Sequence, residues 1–166
     1  MSTFKLEIFT PRRLFLSQEV EGVTVTSIYN DKNTIFWDEV ETGRMLDFTD
    51  VESLDIPTGE LTVLAHHAPM VAALAPGEMR IKIDGEWKKA YNSEGFMEVR
   101  GNNEVSIFSY FCEWPEDIDE VRAKQLIAKE TEELRNARSL TEHRLGEIEL
   151  QRIFTMLRVK ENNINT

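Results

Sequence analysis

The order of hydrophobic and polar positions divides the chain near EWPED, residues 113–117. Before this point short segments alternate between apolar and polar residues, as in FKLEI (4–8), VTVT (23–26) and RIKID (80–84). A period of two is typical of strands that bury one face. Turn sequences separate the segments: Asp84-Gly85 indicates a type I′ hairpin, because that turn requires positive φ at its centre, and RGNNE at 100–104 ends another run. Residues 1–114 therefore predict a β-sandwich or small barrel.

After Pro115 the pattern changes to a helical period, which predicts two helices within residues 115–166. Asp117 and Glu120 have the spacing of a capping box and indicate where the first helix begins. One face of that helix is apolar: Ala123, Leu126, Ile127, Leu134 and Ala137. A turn is expected around RSLTE (138–142), with Ser139 or Thr141 capping the second helix.

The second helix carries two apolar stripes. One consists of Leu150, Ile153, Phe154 and Leu157, and the other of Leu145, Ile148, Met156 and Val159, with Arg152 in its middle. One stripe can pack against the first helix, while the other faces the sandwich, a partner or solvent. A hairpin of about twenty residues per arm buries too little to be firmly stable alone. We therefore expect it to dock on another surface.

Charge identifies one unusual segment. The net charge is −11, which argues against nucleic acid as a partner because phosphate binding needs basic patches. Residues 27–55 alone hold eight acidic and two basic residues, and they interrupt the strand pattern as an acidic insertion. The insertion is either a solvated flap or a contact arm, and four large apolar residues favour ordered structure: Phe36, Trp37, Met45 and Phe48.

The remaining composition excludes several classes of protein. No run approaches the ~20 apolar residues of a membrane helix, and the N-terminus lacks the apolar core of a signal peptide. The single cysteine, Cys112, rules out an internal disulfide and a cysteine metal cluster. Since Cys112 lies between aromatic residues, we expect it to be a buried strand residue rather than a nucleophile.

Two adjacent histidines in VLAHHAPMVAAL (63–74) raise the question of a metal site or a catalytic dyad. A metal site needs three or four ligands, yet the third histidine, His143, lies in the second predicted helix. Neighbouring side chains in extended chain point in opposite directions, and no nucleophile elbow is present. We favour a turn held by Pro69 that presents polar side chains for contact.

No glycine-rich phosphate loop occurs in the chain. Asp119 and Arg122, three residues apart, could form a surface ion pair at the start of the first helix. Arg152 sits among apolar residues, where it either extends out of the apolar face or binds a carboxylate or phosphate. The residues favour the structural role and leave the alternative open.

Four stretches carry a resemblance to a known family: FKLEIFTPRRLFLSQEVEGVTV, GELTVLAHHAPMVAAL, MRIKIDGEWKKAYNSEGFMEVRGNNEVSIF and EWPEDIDEVRAK. In this order they resemble the epsilon subunit of bacterial F-type ATP synthase over nearly the whole chain, residues 27–55 excepted. The resemblance implies a mainly β N-terminal sandwich of about ten strands (1–114), followed by a C-terminal α-helical hairpin (115–166). It also implies a non-catalytic subunit.

The resemblance further implies a role in the rotor. The sandwich would bind the gamma subunit and rest on the c-ring, thereby helping to couple ion translocation to ATP synthesis. The helices would regulate ATP hydrolysis, either folded on the sandwich or extended towards the catalytic alpha and beta subunits. Such a protein lies peripherally at the cytoplasmic face of the bacterial cell membrane and reaches the membrane only through the complex. The alternative is a stand-alone nucleotide-sensing module.

Site residues follow from the same resemblance. Glu60 and His67 occupy the loop expected to face the c-ring, where Thr62 and Ala65-His66 depart from the family's glycines and proline. A family motif for ATP is matched by Ile118, Asp119, Arg122 and Ala123, with Glu113 before it and Arg152 on the second helix. Met156 stands where a second arginine is expected. No cofactor is required, and regulatory ATP would bind weakly or not at all.

Overall fold

The computed structural model describes residues 2–28 and 58–164. Residues 29–57, which include nearly all of the acidic insertion and its four large apolar residues, lie outside the described residues. The structure begins with strands and ends with two helices, and the change occurs at Pro115. The predicted order of a β region followed by a helical hairpin is therefore confirmed.

The described residues before Pro115 form ten strands, in agreement with the expected sandwich of about ten strands. Their bounds are β1 Phe4–Phe9, β2 Leu14–Val20, β3 Gly22–Ile28, β4 Thr58–Leu64, β5 Met70–Leu74, β6 Gly77–Ile83, β7 Glu86–Asn92, β8 Gly95–Arg100, β9 Glu104–Ser109 and β10 Cys112–Glu113. Hydrogen bonds connect them in the order β10-β7-β6-β3-β5-β8-β9-β1-β2, with β4 paired to β3. The β1–β9 pair is parallel, whereas the other pairs of this order are antiparallel.

The turns behave as their sequences predict. Asp84 and Gly85 have φ of 52° and 83°, and they join β6 to β7 with Ile83 opposite Glu86. Positive φ at both central residues is the signature of the type I′ turn. Asn103, with φ of 64°, precedes β9. Asparagine tolerates this left-handed conformation better than most side chains.

The alternating positions of the strands fill one core. Its fully buried members come from both halves of the sheet order and include Phe4, Leu6, Ile8, Val20, Val23, Val25, Val63, Leu74, Met79, Ile81, Met97 and Ile107. Cys112 lies in the same core, and burial raises the pKa of its thiol to about 11. The expectation of a buried strand residue is confirmed, and the raised pKa disfavours the thiolate, which is the reactive form of cysteine.

The start of the first helix differs from the prediction. Pro115–Asp117 form a short 3₁₀ turn, and α1 spans Glu120–Asn136. Asp119 caps α1, because its carboxylate accepts a hydrogen bond from the Arg122 N–H at 3.0 Å. The capping box at Asp117 is thus wrong: the proline begins a separate tight turn that ends in extended chain before the helix starts.

The second helix, α2, spans Leu140–Ile164. Ser139 is its cap, since its hydroxyl accepts from the Glu142 N–H at 3.1 Å, while the Glu142 carboxylate accepts from the Arg138 N–H at 2.8 Å. These bonds select Ser139 over Thr141, and Glu142 binds the N–H of the residue before the cap. The helices pack closely where Gly146 faces Leu134, because a Cβ on Gly146 would lie 2.8 Å from Leu134 Cδ1.

The hairpin is folded against the sandwich, and α2 contacts β6 and β7. A small apolar cluster forms the contact; we call it the docking cluster, and its members are Tyr91, Phe111, Ile118, Met156 and Val159. The predicted stripe that contains Leu145, Met156 and Val159 does not act as one surface. Met156 and Val159 face the sandwich, while Leu145 is 62% exposed. The other stripe is split too, since Ile153 is buried and Phe154 is 52% exposed.

Gly95 provides a test of the strand packing. A Cβ at this position would lie 2.0 Å from the Phe108 carbonyl oxygen, and backbone cannot yield as a flexible side chain can. We expect Gly95→Ala to lower the free energy of unfolding by about 2–3 kcal/mol, measured by urea denaturation. Gly101→Ala is the matched control, because its Cβ would meet Pro69 at an ordinary 3.4 Å. Equal stability of the two variants would contradict this packing.

Candidate functional site

The residues that match the family's ATP motif lie where the sandwich meets the hairpin. Ile118 and Ala123 are both buried, and Ile118 belongs to the docking cluster. The Asp119 carboxylate caps α1. Arg122 is exposed on the first turn of α1. Ile118, Asp119 and Ala123 therefore each have a structural role, as buried residues or as a helix cap.

Glu113 is held by a residue that the sequence did not single out. Its carboxylate accepts a hydrogen bond from Arg13 at 2.7 Å, between β10 and the chain just before β2. The Arg13 guanidinium also lies over the Phe15 ring, 5.5 Å from its centre, and Phe15 contacts Trp114. Glu113 thus anchors the end of the sandwich to Arg13, 100 residues away in sequence.

Arg152 lies between two carboxylates. Its Nη2 donates to Glu94, in the connection between β7 and β8, and its Nη1 donates to Glu149 Oε2 at 2.6 Å. Burial works to lower the pKa of the guanidinium, but the hydrogen bond to Glu149 and the charge of Glu94 outweigh burial and raise that pKa. The open alternative for Arg152 is resolved in favour of a carboxylate partner.

This arrangement does not fit a bound nucleotide. The Arg152 guanidinium is occupied by two anions, which would repel a phosphate placed beside them. Met156, at the position of the expected second arginine, packs in the docking cluster. The residues that match the ATP motif therefore have other partners: Glu113 binds Arg13, Asp119 caps α1, and Arg152 binds Glu94 and Glu149.

Residues 2–28 and 58–164 contain no group of three histidine, cysteine or acidic side chains placed to hold a metal ion. Neither of the helices described is long and apolar enough to cross a membrane.

The histidine pair forms a tight turn, as predicted, although its hydrogen bonds come from Leu64 and Asn103 and not from the segment at Pro69. The His67 N–H donates to the Leu64 carbonyl at 3.2 Å, and His66 has φ of 64°. This left-handed conformation explains why glycine would suit the position. The His66 N–H is bound by the Asn103 side chain at 2.8 Å, so a residue of another loop holds the turn. The His67 ring donates from Nδ1 to the Ala68 carbonyl at 2.8 Å.

Glu60 does not lie in this turn, and its expected contact with the c-ring stays a prediction. It lies within β4 opposite Thr26, where the strand continues to Leu64. Its carboxylate accepts from Arg80 at 2.7 Å and is 73% exposed. Thr62 lies on the same strand, and its hydroxyl is 2.9 Å from that of Thr24. The longer strand follows from the cross-strand pairing, which a motif comparison does not reveal.

An aromatic row on the outer face of the sheet was missed by the sequence analysis. Phe96 stacks on Phe108 with ring centres 4.8 Å apart, and Phe108 stacks on Phe9 at 5.2 Å. The strand register extends the row to Ala73 on one side and Leu14 on the other. Phe96 and Leu14 are 48% and 53% exposed. The alternation within each strand shows which residues share a face. The alignment of these residues across five strands is visible only from the strand register.

The turn at His66 makes opposite predictions for the two histidines. His66→Gly should stabilise the protein by about 0.5–1 kcal/mol. Glycine removes the cost of a left-handed backbone conformation at a residue with a side chain, and the greater backbone entropy of glycine in the unfolded chain offsets part of this gain. His67→Gly should destabilise it by a similar amount, since His67 does not have positive φ. Thermal denaturation of both variants tests this, and the same sign for both would contradict the turn assignment.

Comparison with known proteins agrees with the fold. The family model "ATP synthase, Delta/Epsilon chain, beta-sandwich domain" matches residues 40–115. The ATP synthase epsilon chain of Caldanaerobacter subterraneus subsp. tengcongensis is 34% identical, over 95% of this chain and 93% of its own length. That of Caldicellulosiruptor bescii is 32% identical, over 98% and 97% respectively.

Two solved structures share the architecture. A chain of the Euglena gracilis mitochondrial ATP synthase has a TM-score of 0.65 at 19% identity, covering 95% of this chain and 81% of that one. A chain from the central stalk and c-ring structure of the Tetrahymena thermophila mitochondrial enzyme has a TM-score of 0.58 at 12% identity, covering 94% and 95%. These likenesses concern the fold, whereas the identities above 30% carry the assignment: the chain belongs to the family of ATP synthase epsilon chains, which are non-catalytic subunits of that complex.

Proposed function

We propose that the protein works in the central stalk of an F-type ATP synthase, where the sandwich couples ion translocation through the c-ring to ATP synthesis. In the same proposal the hairpin regulates ATP hydrolysis. The observation that carries the regulatory part is the limited contact of α2 with the sandwich. Only a few side chains form the docking cluster, and a small contact of this kind can be released without unfolding either part.

The aromatic row supports a binding surface for the gamma subunit. Docked α2 contacts β6 and β7, whereas the row crosses β5, β8, β9, β1 and β2. Aromatic side chains that remain exposed in a continuous row favour burial by a partner. We infer that gamma covers this row.

The His66–His67 turn supports a contact with the c-ring. The turn is tight, and Asn103 fixes its backbone, so it would present His67 with little freedom of movement. Glu60 lies on the strand that leads to the turn and is well exposed, and it belongs to the same proposed surface. Contact with the membrane would arise only through the complex, peripherally and at the cytoplasmic face of a bacterial cell membrane.

The released hairpin would reach towards the alpha and beta subunits. With 25 residues and a rise of 1.5 Å per residue, α2 is about 37 Å long. A helix of that length can extend well beyond the sandwich. The alternative of a stand-alone nucleotide-sensing module is disfavoured, because the Arg152 guanidinium is occupied by Glu94 and Glu149.

Removal of the hairpin tests regulation. Deleting residues 120–166 should raise ATP hydrolysis by the assembled complex by about twofold or more, because release of an inhibited state that is at least half populated doubles the active fraction. Coupled ATP synthesis should persist. Arg158→Gln, a change at an exposed position of α2, serves as the control. Unchanged hydrolysis after the deletion would exclude an inhibitory hairpin.

Substitution in the aromatic row tests the gamma surface. Phe96→Ser should weaken binding of the gamma subunit by about tenfold, as is usual when a central aromatic is lost from an interface. Trp87→Ser is the matched control, since Trp87 is 47% exposed and lies outside the row. Titration of purified gamma with each variant gives the affinities. Equal loss for both, or for neither, would place gamma elsewhere.

A further inference from the structure

The pair of Glu94 and Arg152 joins the two parts of the chain across 58 residues. Glu94 lies between β7 and β8, in a connection whose backbone is fixed on both sides. The Ser93 N–H donates to the Phe111 carbonyl at 2.8 Å, and the Tyr110 N–H donates to the Glu94 carbonyl at 3.2 Å. The Ser93 hydroxyl accepts from the Phe111 N–H at 2.8 Å. The sandwich therefore holds the backbone of Glu94 in place independently of α2.

Within α2, Arg152 is held in position by a second carboxylate, that of Glu149. Glu149, one turn before Arg152, accepts from Nη1 at 2.6 Å and fixes that end of the guanidinium. The opposite edge of the guanidinium then faces Glu94. Two buried atoms on that edge have no hydrogen-bond partner among the described residues, Arg152 Nε and Glu94 Oε2. One is a donor and the other an acceptor, and a small rotation that joined them would complete a bidentate pair.

Further polar bonds lie around this pair. The Tyr91 hydroxyl donates to the Arg152 carbonyl at 3.5 Å, and the Lys160 ammonium donates to the Ile118 carbonyl. Met156 and Val159 fill the apolar space between them. Arg152 therefore binds carboxylates, whereas these two neighbouring bonds end at backbone carbonyls.

We propose that Glu94, Arg152 and Glu149 form an internal latch that keeps the hairpin on the sandwich without a nucleotide. In this latch the carboxylates of Glu94 and Glu149 bind Arg152 and take the place that the phosphate of a bound nucleotide would occupy. Met156 contributes apolar contact where a second cation would serve a phosphate. The proposal rests on the regulatory function proposed above, because the latch determines how often the hairpin is free to act.

Hydrogen exchange of the amides of α2 in the isolated full chain measures opening of the hairpin directly. Glu94→Gln and Arg152→Gln should each speed exchange in α2 about five- to tenfold, which is the lower end expected for a charge-assisted hydrogen bond that is partly exposed. The double variant should exchange no faster than the faster single variant, because both remove the same interaction. Exchange in β8 and β9 should stay unchanged.

Two variants control for the loss of charge alone. Glu98→Gln removes a carboxylate of β8 whose partner, Arg100, lies on the same strand, and Arg158→Gln removes an exposed charge of α2. Neither should change exchange in α2. If Glu94→Gln behaves as Glu98→Gln does, the latch is excluded. If the single effects add in the double variant, Glu94 and Arg152 do not act as a pair, and the latch is also excluded.

Nucleotide addition gives a second decisive test. Magnesium ATP should leave α2 exchange of the wild-type chain unchanged, whereas strong slowing would show that nucleotide holds the hairpin and would overturn the proposal. Hydrolysis by the assembled complex separates the latch from the regulatory function. Faster α2 exchange in Glu94→Gln with unchanged hydrolysis would support the latch and reject the inhibitory hairpin.

Discussion

The contact between α2 and the sandwich depends on giving Arg152 an anion within a mostly apolar interface. A guanidinium left there without a partner would lose charge-assisted hydrogen bonds that water replaces only in part, because the Arg152 side chain is 33% exposed. Glu94 and Glu149 meet this requirement from opposite sides. Because the docking cluster is small, one charged pair is a substantial part of the contact, and the hairpin's position is sensitive to it.

The sandwich is stabilised differently. Its core is continuous across the strands, and its shape is set by backbone turns at His66, Asp84 and Asn103. Since no single pair decides its arrangement, it can remain rigid while the hairpin moves. A rigid platform that carries a detachable helical arm suits a subunit of a rotary complex, and the chain's membership of the epsilon chain family agrees with this division.

The sequence predicted features that depend on nearby residues. Strand alternation, the Asp84-Gly85 turn and the Ser139 cap all depend on residues within about four positions of one another, and each is confirmed. The features it missed depend on pairing across the fold. Glu94 meets Arg152 from a distant loop, Glu60 is drawn into β4 by its partner strand, and Pro115 begins a 3₁₀ turn that displaces the helix start. Local pattern contains no information about such partners.

Asn103 has a mechanical consequence for the proposed c-ring contact. Its one amide group accepts from the His66 N–H and donates to the Thr3 carbonyl at 2.6 Å, so it links the histidine turn to the segment before β1. Lateral force on the turn is therefore shared between β4, the β8–β9 connection and the N-terminal segment. The His66–His67 turn therefore resists lateral displacement, and torque applied to it would be transmitted to several strands of the sandwich at once.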